Sequence, residues 1–353
     1  MHKLIVVSIA AALTLTGCAA QTAEPAKPAA EEKAPEKLVL VTHDSFALSE
    51  GTLAAFTEET GINVEVQAAG DGGELVNKLV LTKDSPLGDV VFGIDNTFAG
   101  RAIENGVLES YASKDAAAEE AFQLPKGEGR EQLTPIDNGD VCVNVDLAWF
   151  DEKGLDLPET LDDLTKPEYK DLFVTPAANS SSPGLAFLLA TIAAKGEDGW
   201  KDYWQKLVDN GVKIDAGWND AYYVDFSGPN SEGDRPIVLS YATSPAFEVS
   251  EKGEARTAAL LDTCFRQTEY AGVIKGTKFP SAAGKLVDFL FSETVQNDIP
   301  ESMYVYPANA KATLPDGWAE HAKVADKPFE VAPEKIDANR EQWLTEWAAI
   351  ATP

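Results

Sequence analysis

The sequence predicts an α/β protein of two lobes, each a mainly parallel sheet flanked by helices. Apolar, strand-like runs alternate with helical segments over residues 38–106, and a second such series begins near residue 146. This alternation is typical of parallel strands with helices on both faces of a sheet. About 315 residues are available to fold, which exceeds the usual size of one core. Segments 263–273 and 281–296 then return, so the chain is expected to cross between the lobes more than once.

The first series contains three expected strands, each followed by a helix. An apolar stripe runs along each helix, and in the first it includes Leu53, Ala54 and Phe56. Gly61 and Gly106 stand where the C′ glycine of a helix belongs. The strands are predicted at 38–42, 62–66 and 89–94, and the helices at 51–60, 74–82 and 97–105.

The second series follows an extended segment at 132–145, in which Asn138 and Gly139 are expected to form a bend. Strands are predicted at 173–175, at 212–214 and from Ile237, and helices at 162–164, at 183–195, around Trp200 to Leu207 and at the C-terminal Trp343, Trp347 and Ile350. We predict that one lobe comprises 38–145 with 262–305, and the other 146–261 with 306–353.

The N-terminal residues predict the compartment. Lys3 precedes an apolar run that ends in Leu15-Thr16-Gly17-Cys18, the spacing of a bacterial lipoprotein cleavage site. The run is too short for a permanent membrane span. We therefore expect 1–17 to be a signal peptide, Cys18 to be lipidated, and the Ala-, Pro- and Glu-rich stretch 18–37 to be a solvated tether outside the cytoplasm. The alternative is an ordinary signal peptide with an incidental cysteine.

The net charge of the chain indicates which kinds of ligand or partner it can bind. The formal net charge is −29, from 58 acidic and 29 basic residues. Nucleic acid is therefore a poor partner, because binding phosphates needs clustered Lys and Arg. An acidic protein favours cationic ligands weakly, although most surface charge serves solubility. Besides Cys18 the chain has Cys142 and Cys264, and an isolated pair outside the cytoplasm predicts a disulfide.

Several predicted strands end in polar residues. The run from Ile237 to Phe247 begins as a buried strand and ends in Ser240, Tyr241, Thr243 and Ser244. Open α/β sheets place ligands at such strand ends. We expect this tip to meet four others in one cleft, at 42–45, 70–73, 95–96 and 179–184.

Five motifs in order carry a resemblance to a known family. They are THDSF at 42–46, DVVFGIDN at 89–96, SPGL at 182–185, GWNDAY at 217–222 and LSYATSP at 239–245. Together they resemble the thiamine-binding lipoproteins and periplasmic proteins of ABC importers, from about Leu38 to the terminal helix. The resemblance implies a two-lobed periplasmic-binding-protein fold of the second type that closes on its ligand by hinge motion. It also implies a monomeric receptor, without cofactor or catalysis, that delivers thiamine or its phosphates to a membrane permease.

The resemblance also implies site residues. A carboxylate is expected at Asp71, and hydroxyl and amide donors for a hydroxyl or phosphate end at Ser181 or Ser182. Aromatic faces suit a thiazolium cation and an aminopyrimidine. The aromatic candidates are Trp218, Tyr222, Tyr241 and Tyr304, and the other candidates are His43, Asp44 and Thr243.

The sequence departs from the family at two of these positions, and every candidate has a plainer alternative. His43 stands where the family commonly has tyrosine, and Tyr304 where it often has tryptophan. Asp71 could serve only a glycine turn, and Trp218 could be a core residue. Ser181 and Ser182 could form only a helix N-cap, and Asp44 could only orient backbone.

Two other functions share this fold. Adjacent tyrosines such as Tyr222 and Tyr223 recur in ferric-ion-binding relatives, although such a site also wants a histidine or carboxylate. Neighbouring residues on a helix diverge by about 100°, so we expect this pair to divide between cleft and core. A thiamine-cleaving enzyme would need Cys142 or Cys264 as nucleophile. Both lie in extended segments whose pairing would instead bring them to bonding distance.

Overall fold

The computed structural model describes residues 34–351 except residues 126 and 128. The predicted signal peptide, Cys18 and most of the predicted tether lie outside these residues. No helix in the described part is long and apolar enough to cross a membrane.

Ten strands of the described chain form one sheet. They are β1 (Lys37–Thr42), β2 (Asn63–Ala68), β3 (Val90–Asp95), β4 (Thr134–Asp146), β5 (Phe173–Pro176), β6 (Lys213–Asp215), β7 (Ile237–Tyr241), β8 (Thr257–Ala259), β9 (Phe265–Val273) and β10 (Tyr306–Pro307). The order is β2-β1-β3-β9-β4-β7-β5-β6, with β8 and β10 also paired to β4.

Ten α-helices in the same residues flank the sheet. They are α1 (Thr52–Thr60), α2 (Gly72–Leu81), α3 (Ala99–Glu104), α4 (Leu147–Lys153), α5 (Ser182–Asp209), α6 (Pro280–Leu290), α7 (Glu293–Gln296), α8 (Ile299–Ser302), α9 (Trp318–His321) and α10 (Pro333–Ala351). A short π-helical turn covers Asp220–Asp225.

The sheet has two parallel halves joined by antiparallel strands. Strand β1 is parallel to β2 and β3, and β5 is parallel to β6 and β7. Between the halves, β4 pairs with β9 through Thr134–Val141 and with β7 through Val141–Val145, both antiparallel. One long strand therefore belongs to both halves, and the predicted α/β class with two mainly parallel halves is confirmed. The predicted residue boundaries of the lobes stay a prediction.

The expected bend at Asn138 and Gly139 is wrong. Both residues lie inside β4, where they pair with Thr268 and Gln267 of β9. A Cβ on Gly139 would lie only 3.1 Å from Cδ1 of Tyr241. The glycine is therefore explained by the close approach of an aromatic ring to the strand rather than by a turn.

The first edge of the sheet is more exposed than predicted. Ile62 is buried, but Val66 in β2 is 42% exposed, and Ala54 in α1 faces solvent although we expected it to face inward. Strand β2 is one of the two edge strands in the order and pairs with β1 on one side. Phe56 is the buried anchor of α1.

The helices predicted at 183–195 and around Trp200 to Leu207 together form α5. This helix is interrupted at Gly196, whose backbone angles are φ 73° and ψ 172°. Its apolar first half is buried throughout Leu185 to Ile192. The terminal helix α10 covers α5 through edge-on contact between Trp347 and Trp204, whose ring centroids are 5.5 Å apart. The predicted disulfide is confirmed, because Cys142 in β4 is bonded to Cys264, just before β9.

Candidate functional site

A cavity of about 330 Å³ lies where the two halves of the sheet meet. Four of the five polar strand ends contribute to its lining, namely those with His43 and Asp44, with Asp71, with Ser182, and with Tyr241. The fifth does not, because Asp95 turns to accept the backbone N–H groups of Thr97 and Phe98 at 3.1 and 3.0 Å. The volume is at the lower end for small-molecule sites.

Aromatic rings form one wall of the cavity. Trp218 stacks on Tyr222 with ring centroids 4.9 Å apart and an interplanar angle of 19°. Tyr223 and Tyr241 contact Trp218 edge-on, at 5.4 and 6.4 Å. The indole Nε1 donates to Ser240 Oγ at 3.0 Å, which fixes the orientation of the ring. A planar, electron-rich surface is thus held in place for a flat or cationic ligand.

Tyr222 and Tyr223 divide between core and cleft only in part, because Tyr222 packs in a core cluster with Phe226 and Val238 but also reaches the cavity. Both line the cavity, although Tyr222 is buried and Tyr223 is 44% exposed. They lie in a π-helical turn, whose wider winding reduces the angle between neighbouring side chains. The expected Tyr304 also lines the cavity and contacts Phe247 edge-on, with ring centroids 4.8 Å apart.

Asp71 links segments from both halves of the sheet. Its Oδ1 accepts N–H groups from Gly72 at 2.6 Å and Ser182 at 3.0 Å, and its Oδ2 accepts the Trp218 N–H at 2.9 Å. Burial raises the pKa of this carboxyl, and the hydrogen bonds oppose the shift. Because Gly72 begins α2 in the first half and Ser182 begins α5 in the second, one side chain ties the two helix N-termini together.

The expected donors Ser181 and Thr243 lie outside the cavity lining. Ser181 is fully buried and caps α5, because its Oγ accepts the Gly184 N–H at 3.3 Å. Thr243 is also buried, just after β7. Ser182, at the first turn of the same helix, does line the cavity.

Glu269, which no sequence motif indicated, lines the cavity from β9. Its Oε2 lies 3.6 Å from Nε2 of His43. The His43 Nδ1 accepts the Ser45 N–H at 3.2 Å, so the proton of a neutral ring is on Nε2, facing Glu269. Burial lowers the pKa of His43, but Glu269, with Asp71 and Asp44, outweighs this effect and raises the pKa.

Glu269 is the middle member of a row of three acidic residues across the sheet. It pairs in register with Asp95 of β3 on one side and with Asp137 of β4 on the other. Burial raises the pKa of Asp95 to about 7, and burial together with Glu269 raises that of Asp137 well above its ordinary value. Glu269 directly precedes the apolar run 270–273 in β9, and this change from polar to apolar residues was the sequence signal that could have indicated the row.

The fold and the cavity define the class. A sheet of two parallel halves, joined by shared strands and enclosing a ligand-sized cavity at the strand ends, is that of a two-lobed periplasmic solute-binding protein. The chain belongs to the family of bacterial extracellular solute-binding proteins, whose profile matches residues 85–329.

Individual relatives agree with this assignment. The chain is 30% identical to the thiamine-binding periplasmic protein of Escherichia coli strain K12, over 88% of this chain and 92% of that protein. It is 28% identical to the thiamine-binding periplasmic protein of Brucella melitensis, over 92% and 94% of the two chains. A solved periplasmic thiamin binding protein superposes with a TM-score of 0.77 at 28% identity, covering 90% of this chain and 96% of that one. The expected periplasmic-binding-protein fold is therefore confirmed.

Proposed function

We propose that this protein is an extracytoplasmic receptor that captures thiamine between its two lobes and presents the closed form to an ABC permease. The observation that carries the proposal is a cavity that combines the Trp218 and Tyr241 rings with the carboxylates of Asp71 and Glu269. A thiazolium cation is attracted both by aromatic faces and by carboxylates. The names of the relatives agree with this ligand.

The proposed roles follow from the geometry. Tyr241 and Trp218 offer faces for stacking, with Tyr222 stacked against Trp218 and Tyr304 in edge-on contact with Phe247. Glu269 supplies the charge that faces the cation. Asp71 accepts backbone N–H groups from Ser182 and Trp218, which holds the backbone in place on both sides of the site. Its carboxylate also lines the cavity, where it could accept a hydrogen bond from an amino group of the ligand.

The proposal includes the anchor and the assembly state. Cys18 would carry the lipid that holds the protein outside the cytoplasm, and the receptor would act as a monomer. Mass spectrometry of the mature N-terminus is expected to show Cys18 as the first residue, carrying the mass of a lipid. A mature protein whose Cys18 is unmodified would contradict the lipid anchor.

Thiamine binding is tested by titration of the soluble domain, from about residue 34, with tryptophan fluorescence as the readout and mass spectrometry of the recovered ligand. Saturable quenching with intact thiamine supports a receptor. The matched variant Tyr241→Ala should weaken binding at least about tenfold, since it removes an aromatic face. Absence of both quenching and a thermal shift at saturating thiamine would refute the proposal.

The two alternatives find less support. An enzyme would consume thiamine in the same titration, yet the thiols of Cys142 and Cys264 are joined in a buried disulfide. For ferric ion, Tyr222 donates its hydroxyl to Glu248 Oε1 at 2.9 Å, and burial with Glu248 raises its pKa well above the ordinary value. Within the described residues, no three His, Cys, Asp or Glu side chains are grouped to hold a metal.

A further inference from the structure

We infer that Glu248, which does not line the cavity, is a positioning residue for ligand capture, because it ends a hydrogen-bond relay that holds the aromatic wall. The inference rests on the proposed function and adds a residue that acts on the ligand only through others. It depends on three observations: the contacts of the buried carboxylate, the order of the donors that lead to it, and the ring stack that joins the same residues.

The Glu248 carboxylate is buried and accepts a hydrogen bond at each oxygen. The residue is only 2% exposed. Its Oε1 accepts the Tyr222 hydroxyl at 2.9 Å, and its Oε2 accepts Nδ2 of Asn230 at 2.8 Å. Burial raises the pKa of Glu248, and the two hydrogen bonds and the charge of Arg256 oppose this shift. An ionised carboxylate can only accept, so it fixes the direction in which the Tyr222 hydroxyl donates.

The relay runs from the Trp218 ring to this carboxylate through Ser240, Ser244 and Tyr222. The indole Nε1 donates to Ser240 Oγ at 3.0 Å, and the hydroxyl oxygens of Ser240 and Ser244 lie 2.8 Å apart. Burial and Glu248 raise the pKa of Tyr222, and the Ser244 side chain, acting as a hydrogen-bond donor to Tyr222, opposes this shift. The indole at one end only donates and the carboxylate at the other only accepts. One direction of donation therefore satisfies every hydroxyl between them.

A ring stack joins the two aromatic members of the relay directly. Trp218 and Tyr222 stack with ring centroids 4.9 Å apart and an interplanar angle of 19°. Neither ring can turn without breaking the stack or a hydrogen bond of the relay. Ser244 Oγ also accepts the Tyr241 N–H at 3.1 Å, so the relay reaches the end of β7 as well. Glu248 thus holds two ligand-facing aromatic residues in place from outside the cavity.

The relay also makes the Trp218 face more attractive to a cation. Accepting the hydrogen of Nε1 leaves more electron density on the indole ring, and hydrogen bonds in series polarise one another. A cation over an aromatic face is attracted by that density. The charge of Glu248 has the sign that strengthens this attraction, and removing it should weaken the binding of a cation even where the fold is unchanged.

The experiment is isothermal titration of the soluble domain with thiamine, in the wild type and in variants of the relay. Glu248→Gln keeps the size of the side chain but offers one acceptor oxygen to two donors, and it should weaken thiamine binding at least about threefold. Tyr222→Phe keeps the ring, removes the hydroxyl and should have a similar effect. The double variant should bind within about twofold of the weaker single variant, because both changes break the same relay. Asn230→Ala, at an exposed position, removes only the other contact of Glu248 and is the matched control, with a change below about twofold.

Near-ultraviolet circular dichroism of the ligand-free domain gives a readout that a loss of fold stability alone would not move. The difference between wild type and Trp218→Phe defines the signal of the Trp218 ring, and Glu248→Gln should change that signal while the far-ultraviolet spectrum stays the same. Wild-type affinity with unchanged dichroism in Glu248→Gln would overturn the inference, as would fully additive effects in the double variant. Should Glu248→Gln fail to fold, wild-type affinity in Tyr222→Phe overturns it alone. Failure of the wild type to bind thiamine would refute the proposed function instead, and the dichroism would still test the relay.

Discussion

At the scale of single residues, the site balances one histidine against several carboxylates. Nε2 of His43 lies 3.6 Å from Oε2 of Glu269 in β9. Asp71, and Asp44, which follows His43 in the chain, also raise the pKa of His43. The Ser45 N–H bond to Nδ1 requires that nitrogen to be unprotonated, so the loop as it stands holds a neutral ring. Protonation of His43 would break this bond and place a positive charge beside Glu269, where a cationic ligand is expected.

The affinity for thiamine is therefore predicted to rise as the pH increases through the raised pKa of His43. Below the raised pKa of His43 the imidazolium repels the cation, and above it Glu269 is left for the ligand. The dissociation constant is expected to change by at most about tenfold per pH unit, which is the limit when binding releases one proton. Titration calorimetry in two buffers of different ionisation enthalpy measures that proton directly.

The His43→Gln variant is the control for this pH dependence. Asp95, with a pKa raised to about 7, titrates near neutral pH and adjoins Glu269. The variant should bind thiamine with little dependence on pH if His43 is the group responsible. A pH dependence that persists in the variant would point to the acidic row instead.

At the scale of elements, β4 supports the aromatic wall. Tyr241 at the end of β7 packs across the backbone of Gly139, where β4 passes from one half of the sheet to the other. Any side chain at residue 139 would contact this ring. The position of a ligand-facing tyrosine thus depends on a residue that does not line the cavity.

A Gly139→Ala substitution is expected to weaken thiamine binding several-fold and to destabilise the fold by about 1 kcal/mol or more. The new Cβ would lie 3.1 Å from Tyr241 Cδ1 and 3.4 Å from Val305 Cγ1, so the ring must shift. Titration calorimetry and urea unfolding measure the two effects. Gly199→Ala in α5 is the control, because its Cβ meets only Lys195 at 3.4 Å, and unchanged binding by Gly139→Ala would show that the ring has room to move.

The disulfide ties β4 to the residue that precedes β9, outside the cavity lining. Cys142 and Cys264 are separated by 122 residues along the chain, so their bond restricts the unfolded state considerably. The Cys142→Ser, Cys264→Ser double variant should lose about 2–5 kcal/mol of unfolding free energy and keep its thiamine affinity. Urea unfolding with and without reductant gives the measurement, and a midpoint insensitive to both changes would contradict the prediction.

At the scale of the whole molecule, Asp71 connects the two halves across the cavity. The Ser45 hydroxyl also reaches across, donating to Asn219 Oδ1 at 3.1 Å. These contacts exist only when the halves are close, so they favour the closed arrangement over an open one. Ligand affinity and closure are then linked, because anything that weakens the closed form weakens binding.

Replacing Asp71 with Ala should lower thiamine affinity at least about tenfold by removing hydrogen bonds from a buried carboxylate to Gly72, Ser182 and Trp218. Small-angle scattering should show that the variant contracts less than wild type at saturating thiamine. The control is Asp146→Ala, which removes a similarly buried carboxylate that caps α4 but lies outside the cavity lining. Equal contraction of the wild type and the Asp71→Ala variant would show that Asp71 is not needed for closure.

The site residues divide into those that the sequence could indicate and those that it could not. Tyr241, Trp218 and Asp71 stand in motifs at strand ends, where polar and aromatic residues interrupt apolar runs, and all three line the cavity. Glu269 stands in no such motif. Its importance depends on pairing with Asp95 and Asp137, which are 174 and 132 positions away along the chain.

The α/β class, most strands and helices, the glycine-ended α1 and the cysteine pair could be predicted from the sequence, because periodicity, capping and composition act over a few residues. The close approach of a ring to Gly139, the contact of Asp71 with a helix N-terminus of the other half, and the exposure of β2 at an edge could be seen only in the folded protein. Each of these depends on which distant segments become neighbours. Strand pairing determines which distant segments become neighbours, and a local pattern in the sequence does not indicate that pairing.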